Sequence, residues 1–244
     1  MSWRNNTADR IEKQLQRDGH RTWGFVIYRT TYESDDDWKE FLRRLRLQTK
    51  DHIGWHCNGA DILELESCTI MEGRDLDGAD SHEVRRRFLA WRSDAVDAEQ
   101  RVESDGDSAP PKTPGFSPRY RFAIQVDRES LLTVVHNAPP PEELPHSADP
   151  SKRGWVRLID AEWQHGAAES LRADLGGGLV LSGPMAMSSP ADHGEHEAIE
   201  GVTTLSVGWM KIPYETAQTE TYANAGDPNW WVREYCRPPM VLEG

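Results

Sequence analysis

The chain has 244 residues, 37% hydrophobic and 28% charged, enough for one large or two small domains with a real core and too apolar for a disordered chain. Its formal charge of −13 argues against a phosphate-backbone partner. No run approaches the ~18 apolar residues of a membrane span.

Residues 1–20 read as a polar lead-in with one helix, Asp9 to Arg17. Trp23 to Tyr32 is β-branched and aromatic, and reads as a strand with Phe25, Ile27 and Arg29 on one face and Val26, Tyr28 and Tyr32 on the other. The stretch YESDDDWKEF follows. Ser34 and Asp37 make a capping pair, and Trp38, Phe41, Leu42 and Leu45 give the apolar stripe of a helix. Asp35, Asp36 and Asp37 then sit in its first turn, where carboxylates complement the helix dipole. The rival reading, a metal-binding aspartate motif of a terpene-type cyclase over Asp35–Glu40, needs that run inside a long helix of an all-α bundle.

Ile62 to Ile70 reads as a second strand. Asp80 with Glu83 caps a second helix, with Val84, Phe88 and Trp91 on its apolar face. On it lies the one basic run, Arg85-Arg86-Arg87, read as a solvated helix face. Residues 101–118 are acidic, then proline-rich, and read as a mobile connection. Arg119 to Val126 alternates as a strand, and Asp127 caps a helix from Arg128 to His136. After a proline-rich loop at 138–153 come a strand (Gly154–Asp160), a helix (Ala167–Leu175), a glycine turn (Gly176–Gly178), a short strand (Leu179–Leu181) and a last strand from Val202 to Ile212. Asp227-Pro228 opens a short final helix through Trp231 and Tyr235.

Strand, capped helix and strand occur twice. The expected fold is therefore α+β, with duplicated ferredoxin-like βαβ units in one antiparallel or mixed sheet, or a barrel-like body, and helices outside. The expected divisions are 1–20, 21–100, 101–118 and 119–244.

Several stretches resemble a large group of uncharacterised fungal proteins: Trp23 to Tyr32; Leu76-Asp77-Gly78-Ala79 with Val84-Arg85, Phe88 and Trp91; Gly154-Trp155-Val156; Val207-Gly208-Trp209-Met210; and Arg237-Pro238-Pro239. The resemblance covers most of the chain and brings no agreed activity. It implies a fungal, intracellular protein, and some genes of that group sit near specialised-metabolite pathways.

Chemistry is sparsely signalled. There is no phosphate-binding glycine loop, dinucleotide fingerprint or nucleophile elbow. Cys57, Cys68 and Cys236 form no CxxC pair and read as reduced cytosolic thiols. Asp192 to Glu197 has His193 and His196 at metal-ligand spacing, but Pro190 and Gly194 favour an acidic loop. Asp75, Asp77 and Asp80 suit turn and cap roles better than a cation loop.

Charged residues on apolar strand faces stand out, because burying a charge is costly unless it is paired or used. Arg29, Asp160 and Lys211 are such positions. They read either as strand-end or paired charges or as catalytic groups, with Arg29 and Lys211 stabilising negative charge and Asp160 acting as general acid or base. Ten tryptophans make an aromatic-lined pocket an option beside a tryptophan-rich core, with Tyr28, Tyr32, Trp155, Trp209 and Tyr214 as substrate-binding walls. The leading expectation is a cytoplasmic enzyme of fungal specialised metabolism, with neither cofactor nor metal, acting on a small apolar metabolite by cyclisation, isomerisation or elimination. No nucleic acid or membrane partner is expected, and a homodimer is open. A protein-interaction module presenting its acidic surface, proline-rich loops and Trp230-Trp231 is the alternative.

Overall fold

Helix α1 (Thr7–Asp18) starts at Asn6, which caps Asp9 N–H while the Asp9 carboxylate accepts from Asn6 N–H, and it ends at Gly19 with φ 65°. The computed structural model describes residues 5–101, 110–143, 153–164 and 196–242. Strand β1 (Val26–Arg29) leads to α2 (Asp35–Thr49), where Ser34 Oγ accepts from Asp37 N–H. A π-helical turn and α3 (Ala60–Glu64) connect to the two-residue strand β2 (Ile70–Met71). Helix α4 (Ser81–Gln100) is capped by Asp80, and α5 (Pro118–Arg121) passes into β3 (Phe122–Val126). Asp127 caps α6 (Arg128–Leu132), which loosens into a π-helical turn over Thr133–Asn137. Strands β4 (Trp155–Asp160) and β5 (Trp209–Pro213) follow.

The five strands form one mixed, open sheet in the order β2-β1-β3-β4-β5. β1 runs parallel to β2 and β3, while β3, β4 and β5 are successively antiparallel. The α+β class therefore stands. Among the described residues the second half is an antiparallel meander, not a repeat of the parallel unit before it, and the sheet does not close into a barrel.

Each face of the sheet packs its own core. One holds Phe25, Ile27, Phe122, Ile124, Leu158 and Met210 against α1, α2 and the C-terminal helices. The other holds Val26, Tyr28, Ala123, Ile159 and Trp209 against Val84 and Phe88 of α4. The Trp230-Trp231 pair belongs to the first core: both residues are at most 9% exposed, and Trp231 stacks on Phe122 with centroids 5.4 Å apart. The partner-binding surface expected of this pair is not there.

The strand expected over Ile62–Ile70 starts as helix and turn over residues 62–65. Trp23 Nε1–H donates to the Ile62 carbonyl at 2.6 Å and Leu65 O accepts from Trp23 N–H, so long-range bonds fix this segment against its alternating pattern. Only an isolated bridge from Trp23 to Glu66 and the pair Ile70–Met71 remain extended. The first residues expected in β3 instead form a helical turn begun by Pro118, and the last strand is confined to Trp209–Pro213. The helix, glycine turn and strand expected within 167–181, and the His193 part of the histidine-rich loop, lie outside the described residues.

Candidate functional site

The register sets one polar row across the sheet. Tyr28 stands opposite Gln125, Gln125 opposite Arg157, and Arg157 opposite Lys211. All four therefore share the α4 face, since alternate residues of a strand point the same way. Helix α4 covers the neighbouring row of Val26, Ala123, Ile159 and Trp209. Beside the polar row opens a cleft of about 740 Å³, within the ordinary size for a small-molecule site. It lies where the chain leaves β1 and β3. Its lining includes Thr30, Asp80, Gln125, Asp127, Glu129, Thr133, Asn137, Arg157 and Glu200. Thr133 and Asn137 come from the π-helical turn after α6, an irregularity that recurs at functional sites.

Arg157 is the centre of its charges. Its Nη2 lies 2.6 Å from Asp127 Oδ2 and its Nη1 2.8 Å from Glu200 Oε1. The guanidinium carbon stands 4.2 Å from the Trp209 ring centroid. Asp127 is fixed as the cap of α6, and Glu200 also accepts from Ser81 Oγ. Glu200 (φ 51°) and Gly201 (φ 81°) turn the chain between Ile199 and Val202, which exchange hydrogen bonds at 3.0 and 2.9 Å. Positive φ at both corners is the pattern of a type I′ turn. In a glutamate it costs about 1 kcal/mol or more.

Gln125 is 1% exposed. Its Nε2 donates to Ala79 O at 2.8 Å and to Thr30 Oγ1 at 3.2 Å, which fixes which end of the amide is oxygen. Gln125 Oε1 is left buried with no hydrogen-bond partner, and so is Arg157 Nε directly across the ladder. An orphaned buried acceptor or donor costs about 1–3 kcal/mol.

The eight residues singled out by sequence divide between the two faces. Tyr28, Lys211, Trp155 and Trp209 lie on the cleft's face of the sheet. Lys211 Nζ sits 3.6 Å from the Trp155 ring centroid and 3.3 Å from Glu129 Oε1. The Trp155 and Trp209 rings thus carry the protein's own cations. Arg29 is on the opposite face, clamped by Asp35 at 2.5 Å and the Thr31 carbonyl at 2.9 Å, with the Tyr32 ring 4.4 Å away. Tyr32 OH donates to Arg29 O and accepts from Gly73 N–H. Tyr214 is buried in the first core against Gly154.

Asp160 is also on that opposite face. It pairs with Phe122, whereas Arg29 pairs with Val126 at the other end of β3, about 13 Å away at 3.3 Å per residue. Asp160 keeps part of its surface in solvent. Its carboxyl is nonetheless buried deeply enough to be pushed up to about 6, against the Glu162 N–H bond and the charges of Arg121 and Arg85. That value suits proton transfer, but the fold does not bring Arg29, Asp160 and Lys211 together.

The aspartate run is likewise accounted for by local pairing. Asp35 meets Arg29, Asp36 meets Lys39 at 3.0 Å, Asp37 meets His136 at 3.1 Å, and Glu40 meets Arg43 and Arg44, each at 2.7 Å. In the basic run, Arg86 and Arg87 pair with Glu83, while buried Arg85 donates to the carbonyls of Asp160 and Gly208. No group of three or more metal-ligating side chains is placed to hold an ion among the described residues. Nor is any described helix long and apolar enough to cross a membrane.

Gln125 and Arg157 were missed by sequence reasoning. Both break apolar strands, the same signal that singled out Lys211. The pairing that puts them side by side is a long-range fact. No family model, curated protein or solved structure matches the chain.

Proposed function

We propose that the cleft beside Arg157 is a small-molecule site and that the protein is an enzyme working with its own side chains. The observation that carries this reading is a cleft of ligand size in which Arg157, Asp127 and Glu200 converge from three separate segments of the chain. The reaction class remains cyclisation, isomerisation or elimination. Asp127 and Glu200 are the carboxylates for proton transfer, and Arg157 holds both in place. The cleft's polar lining turns the proposal from a wholly apolar metabolite to one with polar groups. The resemblance to fungal proteins supports a cytoplasmic setting in specialised metabolism.

Native mass spectrometry of the full chain, incubated with a metabolite extract, tests this. A specific small-molecule adduct is expected, weakened at least tenfold in Asn137→Ala, an exposed position on the rim. No adduct, or one indifferent to Asn137, Asp127 and Arg157 substitutions, overturns it and favours the interaction module.

A further inference from the structure

We infer that the ligand of this cleft is a small organic amine, held as an ammonium cation by the carboxylates that line the cleft. This rests on the cleft being a ligand site. Charge selects the class. The lining carries four carboxylates, Asp80, Asp127, Glu129 and Glu200, against two guanidinium groups, Arg128 and Arg157, a net charge of −2. Ion-pair partners beyond the lining leave that balance unchanged, because Lys211 on Glu129 offsets Glu33 on Arg128. A concave wall of one sign focuses its field into the opening and concentrates ligands of the opposite sign there.

The cations at the cleft are already engaged. Arg157 is held by Asp127 at 2.6 Å and by Glu200 at 2.8 Å. Lys211 Nζ lies 3.3 Å from Glu129, and Arg128 lies 2.6 Å from Glu33. An incoming carboxylate or phosphate therefore meets excess negative charge and must displace an existing pair. Two of the carboxylates, by contrast, stand open to a ligand. Asp80 is exposed, and one of its oxygens serves the helix cap by accepting from Glu83 N–H at 2.8 Å. The Glu129 side chain is 63% exposed and meets Lys211 through one oxygen. A primary ammonium has three N–H bonds to give, and Asn137 adds a neutral acceptor to the same lining.

Two rival cations fit less well. A bare divalent ion needs several ligands around one point, and no group of three or more metal-ligating side chains is so placed among the described residues. A quaternary ammonium needs open aromatic faces. On this face of the sheet the Trp209 ring carries Arg157 and the Trp155 ring carries Lys211.

The test is calorimetric titration of the full chain with 1,4-diaminobutane, spermidine and tyramine, each to about 10 mM, ten times a Kd of about 1 mM. The neutral and anionic matches of the first are 1,4-butanediol and succinate. At least one amine is expected to bind, with both matches at least tenfold weaker. Its affinity should fall at least threefold between about 20 and about 200 mM salt. Asp80→Asn removes the charge and keeps a side chain that caps as well. Asp80→Asn and Glu129→Gln are each expected to weaken the amine at least threefold, and together at least tenfold. Asp36→Asn, at a 95% exposed side chain on α2 across the sheet, should leave the affinity unchanged.

Binding of no amine, or equal binding of the diol or the dianion, overturns the inference. So does amine binding that Asp36→Asn weakens as much as the cleft variants do, which marks an adventitious counterion of an acidic surface only. If the metabolite extract still yields an Asn137-dependent adduct that is neutral or anionic, the amine assignment fails and the ligand site stands. If neither amine nor extract binds, both readings fall.

Discussion

Arg157 and Glu200 join at 2.8 Å across forty-three residues of sequence, and Glu200 holds a left-handed backbone while it makes that bond. The same guanidinium reaches Asp127 at 2.6 Å. Arg157 therefore ties the β4 strand to the α6 cap on one side and to the Ile199–Val202 turn on the other. Replacing it strands two largely buried carboxylates, of which Asp127 is 18% and Glu200 20% exposed. Arg157→Leu is expected to lower unfolding free energy by about 3 kcal/mol in urea denaturation. In a double-mutant cycle with Glu200→Ala the two losses should add to more than the double mutant shows. Strict additivity would mean the pair is not coupled.

Asp160 makes stability depend on pH. Its folded value of about 6 lies above the ordinary 3.8. The folded state thus holds this proton more tightly than the unfolded chain does. Its contribution is complete below about 3.8 and is lost as pH rises through about 6. Asp160→Asn removes that loss and keeps an oxygen for the Glu162 N–H. The variant should gain about 2 kcal/mol on wild type between pH 4 and pH 7.5, read from paired denaturation curves. An unchanged difference across that range would contradict the burial of the carboxyl.

Glu40 shows the opposite sign. The hydrogen bond from Arg43, then that from Arg44, holds its carboxyl down at about 2 against the pull of burial. Its contribution is present above the ordinary 4.5 and is lost as pH falls toward 2. Glu40→Gln should therefore be less stable than wild type at pH 6 by about 1 kcal/mol, after discounting for solvent. The two should converge near pH 2. A gap of constant size would point to lost packing in place of charge.

The Trp230-Trp231 pair is a core element, not a docking surface. Trp231→Ala removes the ring stacked on Phe122 and should cost about 3 kcal/mol. Native mass spectra should give the same oligomeric state for variant and wild type.

Local signals in the sequence were dependable where the cause is local. Ser34, Asp80 and Asp127 each cap the helix their spacing announces, because a cap needs only the three residues after it. The aspartate run is the acidic front of α2, as the cap and stripe require. What was not legible is pairing. Parallel β1–β3 contact joins residues about a hundred positions apart and the antiparallel meander joins residues 32 to 58 apart, so the apparent repeat of strand and helix pointed to a duplication among strands that pair differently. The site shows the same limit. A charge on an apolar strand marked Lys211, Arg29 and Asp160 alike. Only the register separates Lys211, which joins the Gln125–Arg157 row, from Arg29 and Asp160 on the other face.

The most direct test of the central claim is a high-resolution crystal structure of the chain after equilibration with the metabolite extract. The account predicts ordered density for one organic molecule in the cleft, in contact with Asn137 or Thr133. A cleft filled only by water, with the ligand bound elsewhere or absent, would contradict it.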